Sequence, residues 1–223
     1  MRSSIFTTQP DHNIMKIAEL FVVVFLHLGF YADAQSLIVS NRHSKDSLSL
    51  KAKKLKQLYL LSTSSSNDVS DIYKQQFFDA FPNTFKQLDG LYGDHFDIHH
   101  KPAPLNDQAE HHIIGLFNKL NIINDTLYYS KIVSIAIGGH WDGDAINFFQ
   151  EGLRHKVLNI PALVVDILKD KSNERIYSFW YFYFDEPHPA KPFAEPLKRI
   201  KNINTKIYFL MVDAQKEVLK QPI

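Results

Sequence analysis

Cysteine is missing from all 223 residues. Its absence excludes disulfides, thiolate metal sites, cysteine nucleophiles and a lipidated cysteine behind an export signal. Packing, or a metal held by other ligands, is left to staple the fold. An excess of charge of one sign is missing too, since 25 Lys and Arg stand against 24 Asp and Glu, a formal +1. Without a basic field there is nothing to draw in a nucleic acid or an anionic membrane surface, so no nucleic-acid partner is expected. Even the densest basic stretch, KAKKLKQ at 51–57, is interleaved with Leu48, Leu50, Leu55 and Leu58 and reads as the solvated face of a helix. Serine-nucleophile motifs such as GxSxG, glycine loops that cradle phosphates, dinucleotide fingerprints and His-Glu-x-x-His are all absent.

What is present suits a globular protein with one substantial core: 45% hydrophobic and 22% charged residues. The amino terminus carries an address. Lys16 follows Met15, an apolar stretch runs from Leu20 to Leu26, and Ala-Asp-Ala closes it at 32–34. A positive start, a short apolar stretch and a small-x-small triplet make a secretory signal peptide. The stretch is too short for a membrane span of about 20 residues, so no stable membrane insertion is expected after cleavage. Residues 1–34 are therefore read as an N-terminal extension and signal, with Met15 as the start and Gln35 as the first residue of a periplasmic or extracellular chain.

Residues 35–67 read as a polar segment with a possible helix over 48–61, ending in the serine-rich linker STSSSND at 62–68. A single helical domain is expected over 68–223. Ser70 reads as a helix cap, and the helix behind it stops before Pro82. Ile113, Leu116, Phe117 and Leu120 repeat at i, i+3, i+4 and i+7. So do Ile176, Phe179, Trp180 and Tyr183, which predicts a helix in spite of the strand propensity of FWYFYF. A last helix over 203–220 carries Ile207, Leu210, Met211, Ala214 and Val218. The fold class is all-α. Paired spacing (105–120 with 124–138, 143–158 with 160–170, 173–184 with 203–220) fits stacked antiparallel hairpins of the HEAT type, and an irregular helical bundle is the alternative.

Three stretches stand out: FFDAFPNTFKQLDGLYG (77–93), GGHWDGDAINFFQ (138–150) and SFWYFYFDEPHP (178–189). Together they resemble a family of small helical Bacteroidota proteins of uncharacterised activity, with the patterns FxxFPxxFxxLxxLYG, GxWxxDAxxxxQ and SFWYFxFDxPHP. The resemblance spans roughly residues 70–220. It implies a helical domain of an exported or host-interaction type, and it brings no catalytic residues with it.

Chemistry must then be sought in the residues themselves. His95, His99 and His100 share a loop with Asp94 and Asp97, and with His140 and Asp142 they are the candidate ligands of a divalent metal such as zinc. His111 and His112 diverge by about 100° on a helix and cannot chelate one ion together; both read as surface histidines. In 138–150, Gly138 or Gly139 is expected to end one helix in a left-handed conformation. Trp141 is expected to fill an interhelical groove, and Asp142 or Asp144 to cap the next helix. Asp185, Glu186 and His188 stand in a loop stiffened by Pro187, Pro189 and Pro192, a good recognition surface because little entropy is lost on binding.

Two functions follow as expectations. The first is an exported helical module, of adaptor or immunity type, that binds another protein without a cofactor through His140, Trp141, Asp142, Asp185, Glu186 and His188. The second is a metal-dependent hydrolase built on the His/Asp cluster. Since no complete catalytic motif is present, the first is preferred and the chain is not expected to be an enzyme.

Overall fold

The computed structural model describes residues 47–64, 67–94, 101–118, 122–186 and 194–220. The signal segment and His95, His99, His100 and His188 lie outside the described residues. All described residues but Ser47 belong to one compact unit, Leu48–Ile223.

That unit is all-α, with no strand among the described residues. Helix α1 covers residues 47–64. It is followed by α2 (Asn67–Ala80), α3 (Phe85–Tyr92), a 3-10 turn (Asn106–Gln108) and α4 (Ala109–Asn118). Then come α5 (Asp125–Ala136), α6 (Gly143–Asn159), α7 (Pro161–Leu168), α8 (Asn173–Phe184), the one-turn helices α9 (Glu195–Lys198) and α10 (Ile200–Ile203), and α11 (Thr205–Val218). The domain starts earlier than the sequence suggests, because Ala52, Leu55 and Leu58 of α1 are buried in the common core.

Several helix ends are written in the local sequence. The Asn124 side chain accepts the Thr126 and Leu127 amides at the start of α5, and Ser172 accepts that of Arg175 at the start of α8. Thr84 and Asn204 do the same for α3 and α11. Ser70 does not cap. It lies inside α2, is buried, and donates to the carbonyl of Ser62 at 2.6 Å, tying α2 to α1.

The core is aromatic. Phe77, Phe78, Phe81, Phe85, Phe117, Phe149, Phe179, Trp180 and Phe182 are all buried in one cluster. Helix α8 buries Ile176, Phe179, Trp180, Phe182, Tyr183 and Phe184, more than one amphipathic stripe, as a helix enclosed by others must. It packs on α11, α5 and α6. Leu210, expected in the core, is half-buried; Ile207, Met211, Ala214 and Val218 carry the α11 contact. The expected hairpin of α8 with α11 forms, but α4 packs chiefly on α6 and α5 on α7. The expected α6–α7 pair also meets, and these interleaved pairings fit the irregular helical bundle. His112 is a further correction: although His111 is exposed, His112 is fully buried.

Candidate functional site

The three stretches set apart in the sequence meet at one place. Helix α5 ends at Ala136, and Gly138 follows with φ +78, the left-handed conformation that costs other residues most. The Gly138 amide donates to Ser178 Oγ of α8 at 3.2 Å. At Gly139 the chain presses so close to the core that a Cβ would lie 2.7 Å from the Phe182 ring and 2.9 Å from that of Phe85. The exposed His140 rests its ring on Phe85, with 4.8 Å between centroids.

Beyond these contacts the loop is held by carboxylates from elsewhere in the chain. The Trp141 amide donates to Asp185 Oδ2 at 2.7 Å, just past the end of α8. The Asp144 amide, in the first turn of α6, donates to Asp94 Oδ2 at 3.3 Å. Asp94 therefore does what Asp142 or Asp144 was expected to do. Asp142 occupies the cap position with ψ 76, short of the extended value a cap adopts, and makes no capping bond. Gly143, at φ +74, lets Asp94 approach, since a Cβ there would lie 2.0 Å from Asp94 Oδ2. Asp94 itself is aimed by Asn106, whose Nδ2 donates to Asp94 Oδ1 at 2.5 Å and to the Tyr92 carbonyl at 2.9 Å. Asp144 retains only the favourable position of an acid in a helix's first turn. Asp94→Ala should thus lower stability by about 0.5–2 kcal/mol, and Asp144→Ala by less; urea midpoints of the two variants rank them.

The end of α8 is pinned from α6. Gln150 is fully buried, and its Nε2 donates to the carbonyls of Phe182 at 2.7 Å and Asp185 at 2.6 Å. One turn on, Arg154 Nε donates to the Tyr183 carbonyl at 3.2 Å while Nη1 pairs with Glu186 Oε2 at 2.9 Å. These side chains give further donors to carbonyls in the last turn of α8 and just past its end. Gln150, Arg154 and Asn106 escaped the sequence reading. For Gln150 a signal existed: it shares the buried stripe of Ile146, Phe149, Leu153 and Val157 as its single polar member.

These bonds bring Asp94, Asp142, Asp144, Asp185 and Glu186 into one neighbourhood, with Arg154 paired to Glu186 and Trp141 exposed beside them. Trp141 does not fill an interhelical groove; it is 41% exposed. The gathered motifs place His140, Trp141, Asp142, Asp185 and Glu186 on this surface. Among the described residues, no three His, Cys, Asp or Glu side chains gather to hold a metal, His140 and Asp142 included. A separate hollow of about 450 Å³ between α4 and α6 is lined by Glu110, Ile114, Phe117, Phe148, Glu151 and His155 among others, and includes no residue of the loop. No described helix is long and apolar enough to cross a membrane.

The described residues thus define an all-α bundle with an acid-lined loop at 138–144. No protein-family model, curated protein or solved structure matches the chain.

Proposed function

We propose that the chain is an exported helical module that binds another protein, as an adaptor or immunity-type factor, with Trp141 as the anchor of its binding surface. The observation that carries this reading is the contrast within one residue. The Trp141 backbone is fixed by Asp185 and stands between the tightly placed Gly139 and Gly143, yet the residue is left 41% exposed. Folding leaves about two-fifths of this large residue in contact with water. Binding gains much: tryptophan is enriched among the residues that dominate interface energy, and a prefixed backbone spares the ordering cost. The neighbouring Asp142, Asp185 and Glu186 supply a polar rim, and His140 a further polar contact. The resemblance to exported helical proteins and the signal-like segment at 15–34 support the same reading and a periplasmic or extracellular location.

Site-specific photo-crosslinking tests it. A photoreactive residue at 141 in the full chain, expressed in its own cells, should give a discrete protein adduct. The same residue at Phe209, exposed on α11, should not. No adduct at 141 from a folded chain, or equal adducts at both positions, would overturn the assignment.

A further inference from the structure

Of the described histidines, His111, His140 and His155 are exposed and His112 is fully buried. His112 Nδ1 lies 3.0 Å from Tyr92 Oη, while Nε2 is buried without a partner. Three aromatic rings enclose it: Tyr59 of α1 at 4.7 Å, Phe77 of α2 at 5.6 Å and Tyr92 of α3 at 5.8 Å between centroids. The nearest of them belongs to the first helix of the unit. One turn along α4, a Cβ at Gly115 would lie 2.8 Å from the Tyr59 ring, so α1 lies close against α4 at Tyr59. Helix α1 is also held by Leu48, Ala52, Leu55 and Leu58, by the contact of Tyr59 with Phe77 of α2 and by the Ser70–Ser62 hydrogen bond.

We propose that α1 is an acid-released strap, in which protonation of His112 lifts Tyr59 and undocks α1 from α4 while the rest of the bundle stays folded. An imidazolium must donate from both nitrogens. Tyr92 serves one of them, and Nε2–H would have no acceptor, a cost that water relieves once Tyr59 moves. The charges around the ring are known. Lys56 of α1 and the adjacent His111 disfavour the cation, Asp107 of the 3-10 turn favours it, and α2 and α3 face it with Phe77 and Tyr92. Desolvation is the largest influence and, with His111 and Lys56 and against Asp107, holds the docked His112 down to about 4 against an ordinary 6.5. Because the docked form is the poorer base, docking is at full strength above the ordinary value. It weakens as pH falls from there towards about 4.

Amide hydrogen exchange on the full chain, corrected for intrinsic rates, reads this out. Protection of residues 47–64 should fall on the order of tenfold between about pH 7.5 and about pH 5, while α8 and α11 keep theirs. His112→Phe should hold α1 protection constant over the same range. Protection of α1 that ignores pH, that falls together with α8 and α11, or that falls equally in His112→Phe overturns the proposal. Should His112→Phe not fold, the ring resonances of His112 in the parent decide. Titration accompanied by shifts of Tyr59 and the α1 amides is the expected result; titration without them overturns it.

Discussion

Replacing Trp180 with alanine is expected to destabilise the bundle by about 3–5 kcal/mol, a large share of the roughly 5–15 kcal/mol that a domain possesses. Trp180 is fully buried at the middle of α8. Its ring meets Phe179 and Tyr183 edge to face at 5.0 and 5.4 Å and stacks on Phe184 at 6.3 Å. Alanine leaves a void among rigid rings that cannot collapse to fill it. The indole Nε1 is buried without a partner, so phenylalanine removes volume and an unsatisfied donor together. Trp180→Phe should therefore cost well under half as much. Urea unfolding followed by far-ultraviolet circular dichroism measures both. A loss below about 1 kcal/mol for alanine would contradict the packing described for α8.

The second large effect is expected at Gln150. Leucine there matches the side chain in size but takes away the donors that serve the Phe182 and Asp185 carbonyls. A buried acceptor left without its donor costs about 1–3 kcal/mol. Phe182 keeps a bond from the Asp185 amide, and leucine also removes the partnerless Gln150 Oε1; both reduce the net loss to about 2 kcal/mol. The loss should be accompanied by a local sign. Since Asp185 holds the Trp141 amide, hydrogen exchange at 138–144 should quicken more than at α11. A stable Gln150→Leu with an unchanged loop would mean that the α8 end is held by something else.

Helix spacing made most of the fold legible. Ile176, Phe179, Trp180 and Tyr183 point to one side at helical intervals, and Asn124 and Ser172 cap the helices that directly follow them. Such signals are local. Which helices become neighbours is not local, and so α4 was expected on α5 but packs chiefly on α6. The cap of α6 failed for the same reason: Asp142 and Asp144 are close in sequence, but the accepting oxygen comes from Asp94, placed by Asn106. Trp141 is expected in an interhelical groove on the helix-turn reading of 138–150 and at a binding surface on the other, and the structure fixes its backbone by Asp185 between two crowded glycines and leaves it 41% exposed. His112 was read as surface because its ring sits at the edge of the α4 stripe; α1 covers that edge, and nothing in the α4 sequence announces it. The gathering of 77–93, 138–150 and 178–189 into one surface was foreshadowed only by their standing out as three distinctive stretches.

If Trp180 holds the bundle together and Trp141 serves a partner, as proposed, the two tryptophans must answer differently to alanine. Trp141→Ala tests it most directly when unfolding free energy and partner capture from the cell envelope are measured on the same preparation. Because Trp141 is partly buried, the expected result is a stability loss no more than about half that of Trp180→Ala, with the captured protein lost. A stability loss approaching that of Trp180→Ala, or a captured partner retained at the parent's level, would contradict it.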